Sequence, residues 1–248
     1  TDGNGCVNND QVTVTVNPLG APANAGPNIS LCVGDPAVQL PMTPPGGTWS
    51  GAGVTVGGLF NPIAAGSYNL TYTVGALTCQ TSDVMTMTVS AAPVVAAGPD
   101  FDACSNDPIV NLVGAPPGGT WSGAGVTGSQ WDPATAPAGA SVLTYTFTNA
   151  NNCTASDQVV ATLYTLPVVD AGGPWNLCDQ PIATTLTGAT PVGGAWSGPF
   201  ITPGGSFGGS GIGVFTVYYT YSDPNGCSAM DSTVVTVVPV ANPANAGP

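Results

Sequence analysis

Seven cysteines and thirteen aspartates carry most of the chemistry open to this 248-residue chain, because it contains no Glu, Lys, Arg or His. A serine or cysteine nucleophile would have neither a histidine nor a lysine to act as its base, so acid-base work falls to aspartate alone. No Asp-Thr-Gly or Asp-Ser-Gly occurs that would mark an aspartic dyad, and the sequence predicts a chain that is not an enzyme. A metal-thiolate centre is disfavoured too, since no two cysteines lie two to four residues apart and no imidazole can join them. With a formal net charge of -13 and no cation, the surface can neutralise neither phosphates nor anionic lipid headgroups. Nucleic acid and direct membrane insertion are therefore excluded as partners. The absence of Lys and Arg also removes every trypsin site.

The remaining cysteine chemistry is oxidation. Cys32/Cys79, Cys104/Cys153 and Cys178/Cys227 have internal separations of 47, 49 and 49 residues, and Cys6, Cys79, Cys153 and Cys227 step by 73, 74 and 74. This phasing predicts the disulfides Cys32-Cys79, Cys104-Cys153 and Cys178-Cys227, with Cys6 paired to a cysteine upstream of Thr1. Each bridge would stabilise its loop by roughly 4 kcal/mol on the chain-entropy account. Disulfides of this kind imply an oxidising, extracellular location.

Stepping in time with the cysteines is a longer repeat. Pro44 to Thr55 reads PPGGTWSGAGVT and returns unchanged at Pro116 to Thr127, with a looser copy, GGAWSG, at Gly193 to Gly198. Trp49, Trp121 and Trp196 are thus 72 and 75 residues apart, a period of about one small domain. The divisions are 1–18, the C-terminal fragment of a preceding repeat; 23–92, 95–166 and 168–239, three full repeats; and 240–248, a connector to the next. Pro-Ala-Asn-Ala-Gly-Pro occurs both at Pro22 to Pro27 and at Pro243 to Pro248, so the window runs from connector to connector. A domain of this size buries only about 65% of its unfolded surface and calls for a staple.

Within a repeat the periodicity is two throughout. Ala37 to Leu40, Gly47 to Ser50, Leu59 to Pro62, Ser67 to Val74 and Asp83 to Ser90 read as strands in the first copy, and Gln11 to Val16 as the last strand of the preceding one. Val142 to Phe147 and Val214 to Tyr221 are the later counterparts of the fourth strand. Tyr72, Tyr145 and Tyr219 occupy one place in the three copies and, with Trp49, Trp121 and Trp196, are the predicted core. No helical period is present. The fold class is all-β: tandem antiparallel β-sandwich repeats of about 74 residues, joined by semi-rigid proline-bearing connectors into an extended rod.

A Cys, a Trp about seventeen residues on and a Tyr ahead of a second Cys resembles the immunoglobulin-like plan. Here the second cysteine follows a hairpin turn, so the antibody disulfide position does not carry over. Gly-Gly-Thr-Trp-Ser-Gly, Phe-Asn-Pro, Leu-Thr-Tyr-Thr and Ser-Asp before Val/Thr alternation together resemble the tandem immunoglobulin-like repeats of Bacteroidota cell-surface adhesins, including gliding-motility adhesins of the SprB type. The likeness covers essentially the whole chain. It implies type IX secretion, display on the bacterial cell surface and a non-catalytic role as stalk repeats in attachment or gliding motility. Two other functions fit the residues: a subunit of a self-assembling extracellular filament or sheath, and a carbohydrate-binding module of a secreted enzyme.

Aspartates supply the remaining candidates. Asp35, Asp100, Asp102, Asp107, Asp170 and Asp179 cluster near connectors and early loops, where calcium would stiffen a joint, with Asp100, Asp102 and Asp170 the leading candidates. Asp10, Asp83, Asp157 and Asp231 each follow the second cysteine by four residues and are predicted to accept backbone N–H bonds where the last strand begins. Asp231-Ser232-Thr233 resembles the O-glycan attachment site of Bacteroidota, with Ser232 as acceptor. The sequons at Asn28, Asn69 and Asn152 matter only in a eukaryotic secretory host. The expected partners are neighbouring repeats of the same chain and an unidentified surface or glycan ligand, with lateral self-association in the filament reading. No apolar run approaches eighteen residues. Targeting signals are expected elsewhere in a longer parent protein.

Overall fold

The computed structural model describes residues 3–5, 7, 9–16, 20–75 and 79–240. The described residues are strands, turns and irregular connections, with no helix. Two compact units divide the chain: one runs to Val94 and includes Phe147–Ala155, and the other comprises Val95–Thr146 and the chain from Ser156 onward.

The same set of strands recurs three times. The first set is β1 (Ile29–Cys32), β2 (Val38–Gln39), β3 (Thr48–Ser50), β4 (Leu59–Phe60), β5 (Gly66–Val74) and β6 (Thr81–Ser90). Its larger sheet has the order β1-β6-β5-β3, and β2 pairs with β4 in the smaller one. The second set is β7 (Phe101–Cys104), β8 (Val110–Asn111), β9 (Thr120–Ser122), β10 (Val126–Thr127), β11 (Gln130–Trp131), β12 (Gly139–Thr148) and β13 (Thr154–Tyr164). These give a sheet β7-β13-β12-β9 and a smaller one β10-β11-β8. The third set, β14 (Trp175–Cys178), β15 (Thr184–Thr185), β16 (Ala195–Ser197), β17 (Ser206–Phe207), β18 (Gly213–Ser222) and β19 (Ser228–Val238), repeats the order as β14-β19-β18-β16 with β15-β17.

The first strand of each set runs parallel to the last: β1 with β6, β7 with β13 and β14 with β19. All the other strand pairings given in register are antiparallel, so each larger sheet is mixed. Each is entered through a connector whose buried alanine is held by the last strand. Asp83 accepts from the Ala25 N–H at 2.8 Å, Asp157 from Ala97 at 2.8 Å and Asp231 from Ala171 at 2.9 Å. These bonds fix where the first strand starts and so set its register against the last.

Alternation along the long central strands sends one face inward. In β5, Leu70 and Tyr72 are buried while Ser67 and Asn69 are exposed. The first core gathers Leu40, Trp49, Phe60, Leu70, Tyr72, Met85 and Met87. In register, Trp49 lies opposite Tyr72, Trp121 opposite Tyr145 and Trp196 opposite Tyr219, with ring centroids 5.2, 5.0 and 5.1 Å apart. Trp49 and Trp196 are 2% and 6% exposed, whereas Trp121 is half-buried. Trp131, fully buried, fills the place that Phe60 and Phe207 take in the other sets, a core role the sequence reading did not assign it.

Each tyrosine also closes the turn before the tryptophan strand. Tyr72 accepts from the Gly47 N–H at 3.0 Å and donates to the Pro44 carbonyl at 2.6 Å. Tyr145 does the same with Gly119 and Pro116, and Tyr219 with Gly194 and Pro191. A glycine is needed there, because a Cβ on Gly47 would lie 2.5 Å from both the Tyr72 ring and the Thr73 carbonyl oxygen.

Gln11–Val16, expected as a strand, is not one. Val12, Val14 and Val16 are largely exposed, and no partner strand among the described residues offers a ladder to stabilise it. Cys6, with its expected upstream partner, lies outside the described residues.

Candidate functional site

The predicted disulfides Cys32-Cys79, Cys104-Cys153 and Cys178-Cys227 are not formed. The bridges are Cys32–Cys153 and Cys104–Cys227, each with a Cα–Cα distance of 5.6 Å. The parallel first strand explains the correction. Cys32 ends β1 opposite Ser90, whereas Cys79 precedes β6, so eleven strand-spaced residues, about 36 Å, separate the two ends. A disulfide tolerates about 7 Å between Cα atoms. The strand-end cysteine thus joins the hairpin cysteine of the next strand set, over sequence separations of 121 and 123 residues.

Both halves of the bridge are held by short polar turns. On the strand-end side, the Cys32 N–H donates to Asp35 Oδ2 at 2.7 Å and the Asp35 N–H returns to the Cys32 carbonyl at 3.1 Å. Cys104 and Asp107 repeat this at 2.7 and 2.9 Å. On the hairpin side, Asn149 Oδ1 accepts from both Asn151 and Cys153 N–H at 3.0 Å. Asp223 Oδ1 accepts from Asn225 and Cys227 at 2.9 Å. Cys153 and Cys227 are fully buried, and Asn149 Nδ2 donates to the Ala91 carbonyl at 3.3 Å, tying the hairpin to the end of β6. In the other bridge, Asn225 and Gly226 line a cleft with Asp102, Cys104, Asp107 and Tyr164. Asp35 and Asp107, expected among the loop aspartates open to calcium, instead cap these cysteine turns, and the sequence reading does not single out Asn149 or Asp223; the fixed offsets of three after or four before a cysteine are the available signal.

Cys79 is half-buried and Cys178 exposed, and both are free thiols. The calcium candidates are not brought together. Asp100 Oδ1 accepts from the Val160 N–H, Asp170 Oδ1 from the Gly172 N–H, and Asp102 sits in β7 opposite Thr162. Among the described residues no three acidic or thiol side chains form a metal-sized group. Ser232 is exposed in β19 opposite Tyr218. Asp83, Asp157 and Asp231 each accept a backbone N–H from a connector. For Asp157 the Ala97 N–H and then that of Gln158 hold the carboxyl below its ordinary value, and for Asp231 the Ala171 and Ser232 N–H groups do so. No helix among the described residues is long and apolar enough to cross a membrane.

No protein-family model matches the sequence, and no curated protein matches it. Solved structures that resemble the chain include immunoglobulin-domain proteins and cadherin fragments. Sidekick-1 immunoglobulin domains 1–5 are similar at 14% identity and a TM-score of 0.30, over 88% of this chain. The chain spans 60% of that structure's length. The titin I-band fragment I67–I69 gives 12% identity and a TM-score of 0.38, over 87% of this chain and 96% of that one. The insect immune protein hemolin gives 13% and 0.32, over 87% and 76%.

Proposed function

We propose that the chain is a run of stalk repeats from a large secreted adhesin, non-catalytic and displayed on a bacterial cell surface of the Bacteroidota type for attachment or gliding. The observation that supports this reading is the connectivity of the bridges. Because each joins one repeat to the next, Cys32 and Cys227 are linked by two covalent routes of about 72 and 74 residues, in place of one backbone route of about 195. Cutting any one peptide bond between them leaves a single covalent piece. Bridges closed within each repeat would leave every connector a single strand under tension. A chain that must carry load through a protease-rich medium gains from such redundancy, and it offers trypsin no site. Burial of Trp49 and Trp196 removes two of the three indoles that a carbohydrate-binding module would present.

Single-molecule pulling from the two ends tests the reading. The bridges withhold about 120 residues, so the oxidised chain extends roughly 400 Å less on complete unfolding than the reduced chain. Equal extension in the two states, filament formation in sedimentation at micromolar concentration with the free thiols alkylated, or saturable oligosaccharide binding would each count against a stalk.

A further inference from the structure

Cys178 and Cys79 occupy the two halves of the same bridge, with nothing in the other half. Cys32, Cys104 and Cys178 each end the first strand of their set, opposite Ser90, Tyr164 and Val238. The residue after each donates its N–H to that opposite carbonyl: Val33 to Ser90 at 2.9 Å, Ser105 to Tyr164 at 3.0 Å and Asp179 to Val238 at 2.8 Å. The ladder position of the strand-end cysteine is therefore the same in all three, although Pro181 stands at the offset where Asp35 and Asp107 cap the turns after Cys32 and Cys104. Cys79, Cys153 and Cys227 each precede the last strand after the central hairpin.

Burial agrees with this assignment. Bridged strand-end cysteines are half-buried and Cys178 is exposed; bridged hairpin cysteines are fully buried and Cys79 is only half-buried. Each free thiol is thus more exposed than its bonded counterparts.

We propose that Cys178 and Cys79 are complementary docking cysteines: Cys178 takes the hairpin cysteine of another repeat of this kind, and Cys79 takes a strand-end cysteine. The oxidant is a low-molecular-weight disulfide such as oxidised glutathione. One thiolate attacks it and releases a glutathione thiolate, and the second protein thiolate then displaces the other glutathione from the mixed disulfide. Two protein thiols are oxidised, one glutathione disulfide is reduced to two thiols, and those thiols take up the two protons. The proposal concerns a site the stalk reading leaves open, since two closed bridges suffice for that reading.

The test uses the whole chain carrying Cys6→Ser, equilibrated in a glutathione redox buffer, alone and with a second copy of residues 168–240 fused after Pro248. Products are mapped by non-reducing peptide mass spectrometry. In the fused chain Cys178 should join the added copy of Cys227. In the unfused chain the same complementarity should appear as a ladder of Cys178-to-Cys79 multimers between copies, and Cys178→Ser should abolish it. Bonding in the fused chain alone assigns the partner to the next repeat in series, whereas the ladder shows that a second copy suffices; either supports the proposal. It is overturned if both thiols stay alkylatable in both forms while Cys32–Cys153 and Cys104–Cys227 are complete, or if Cys178-to-Cys178 dimers dominate.

Discussion

Replacing Tyr72 with phenylalanine isolates one polar contribution to a repeat, because the ring and its packing against Trp49 remain while a single oxygen is lost. That oxygen serves two backbone groups, accepting from Gly47 N–H at 3.0 Å and donating to the Pro44 carbonyl at 2.6 Å. Tyr72 is fully buried, so the glycine donor has no route to water once the hydroxyl is gone. An orphaned buried group costs about 1–3 kcal/mol; with the proline carbonyl only part-buried, the loss should total about 2–4 kcal/mol. Tyr68→Phe is the matched control, since its hydroxyl makes one exposed bond to the Ala64 carbonyl at 2.8 Å and should cost under about 1 kcal/mol. Urea unfolding of the oxidised chain, followed by tryptophan fluorescence, measures both, with the buried Trp49 reporting the first core. A Tyr72→Phe effect below about 0.5 kcal/mol, or no larger than the control, would refute the claim that this hydroxyl closes the turn.

Three further outcomes are expected. Cys104→Ser should destabilise the chain by up to about 5 kcal/mol, the loop-entropy ceiling for a 123-residue separation, read as a fall in the urea midpoint. Gly119→Ala places a Cβ 2.5 Å from the Thr146 carbonyl oxygen and the Tyr145 ring and should cost about 1–3 kcal/mol, whereas Gly57→Ala meets no atom within 4 Å and should leave the melting temperature within about 2 °C. The Asp157 and Asp231 carboxyls have lowered folded-state values, so their stabilisation is complete above the unfolded carboxylate range and is lost as pH falls through the folded value. Melting temperature should hold from neutrality to about pH 4 and drop below it, less steeply in Asp157→Asn/Asp231→Asn.

The elements were legible where burial alternates. The Tyr68 to Val74 pattern predicts β5, the Trp strands emerge from their glycine frames, and the recurrence of Asp four residues after the hairpin cysteine marks Asp83, Asp157 and Asp231 as carboxylates that accept backbone N–H groups. What period two does not reveal is strand direction or partner. Ile29–Cys32 is short and half-buried, and its parallel placement beside β6 depends on Asp83 reaching Ala25, a contact 58 residues apart in sequence. The disulfide pairing failed for the same reason. A strictly periodic array is equally in phase for Cys32 with Cys79 and for Cys32 with Cys153; only the position of each cysteine along its strand decides between them. Trp131 was overlooked because it stands where the other copies carry phenylalanine.

The central claim is that the bridges cross from one repeat to the next, and a designed cut tests it most directly. With a viral protease site replacing residues 92–96, between Ser90 and the Ala97 clip, the cleaved chain should migrate as one piece without reductant and as two with it. Separation into two fragments in the absence of reductant would contradict the account.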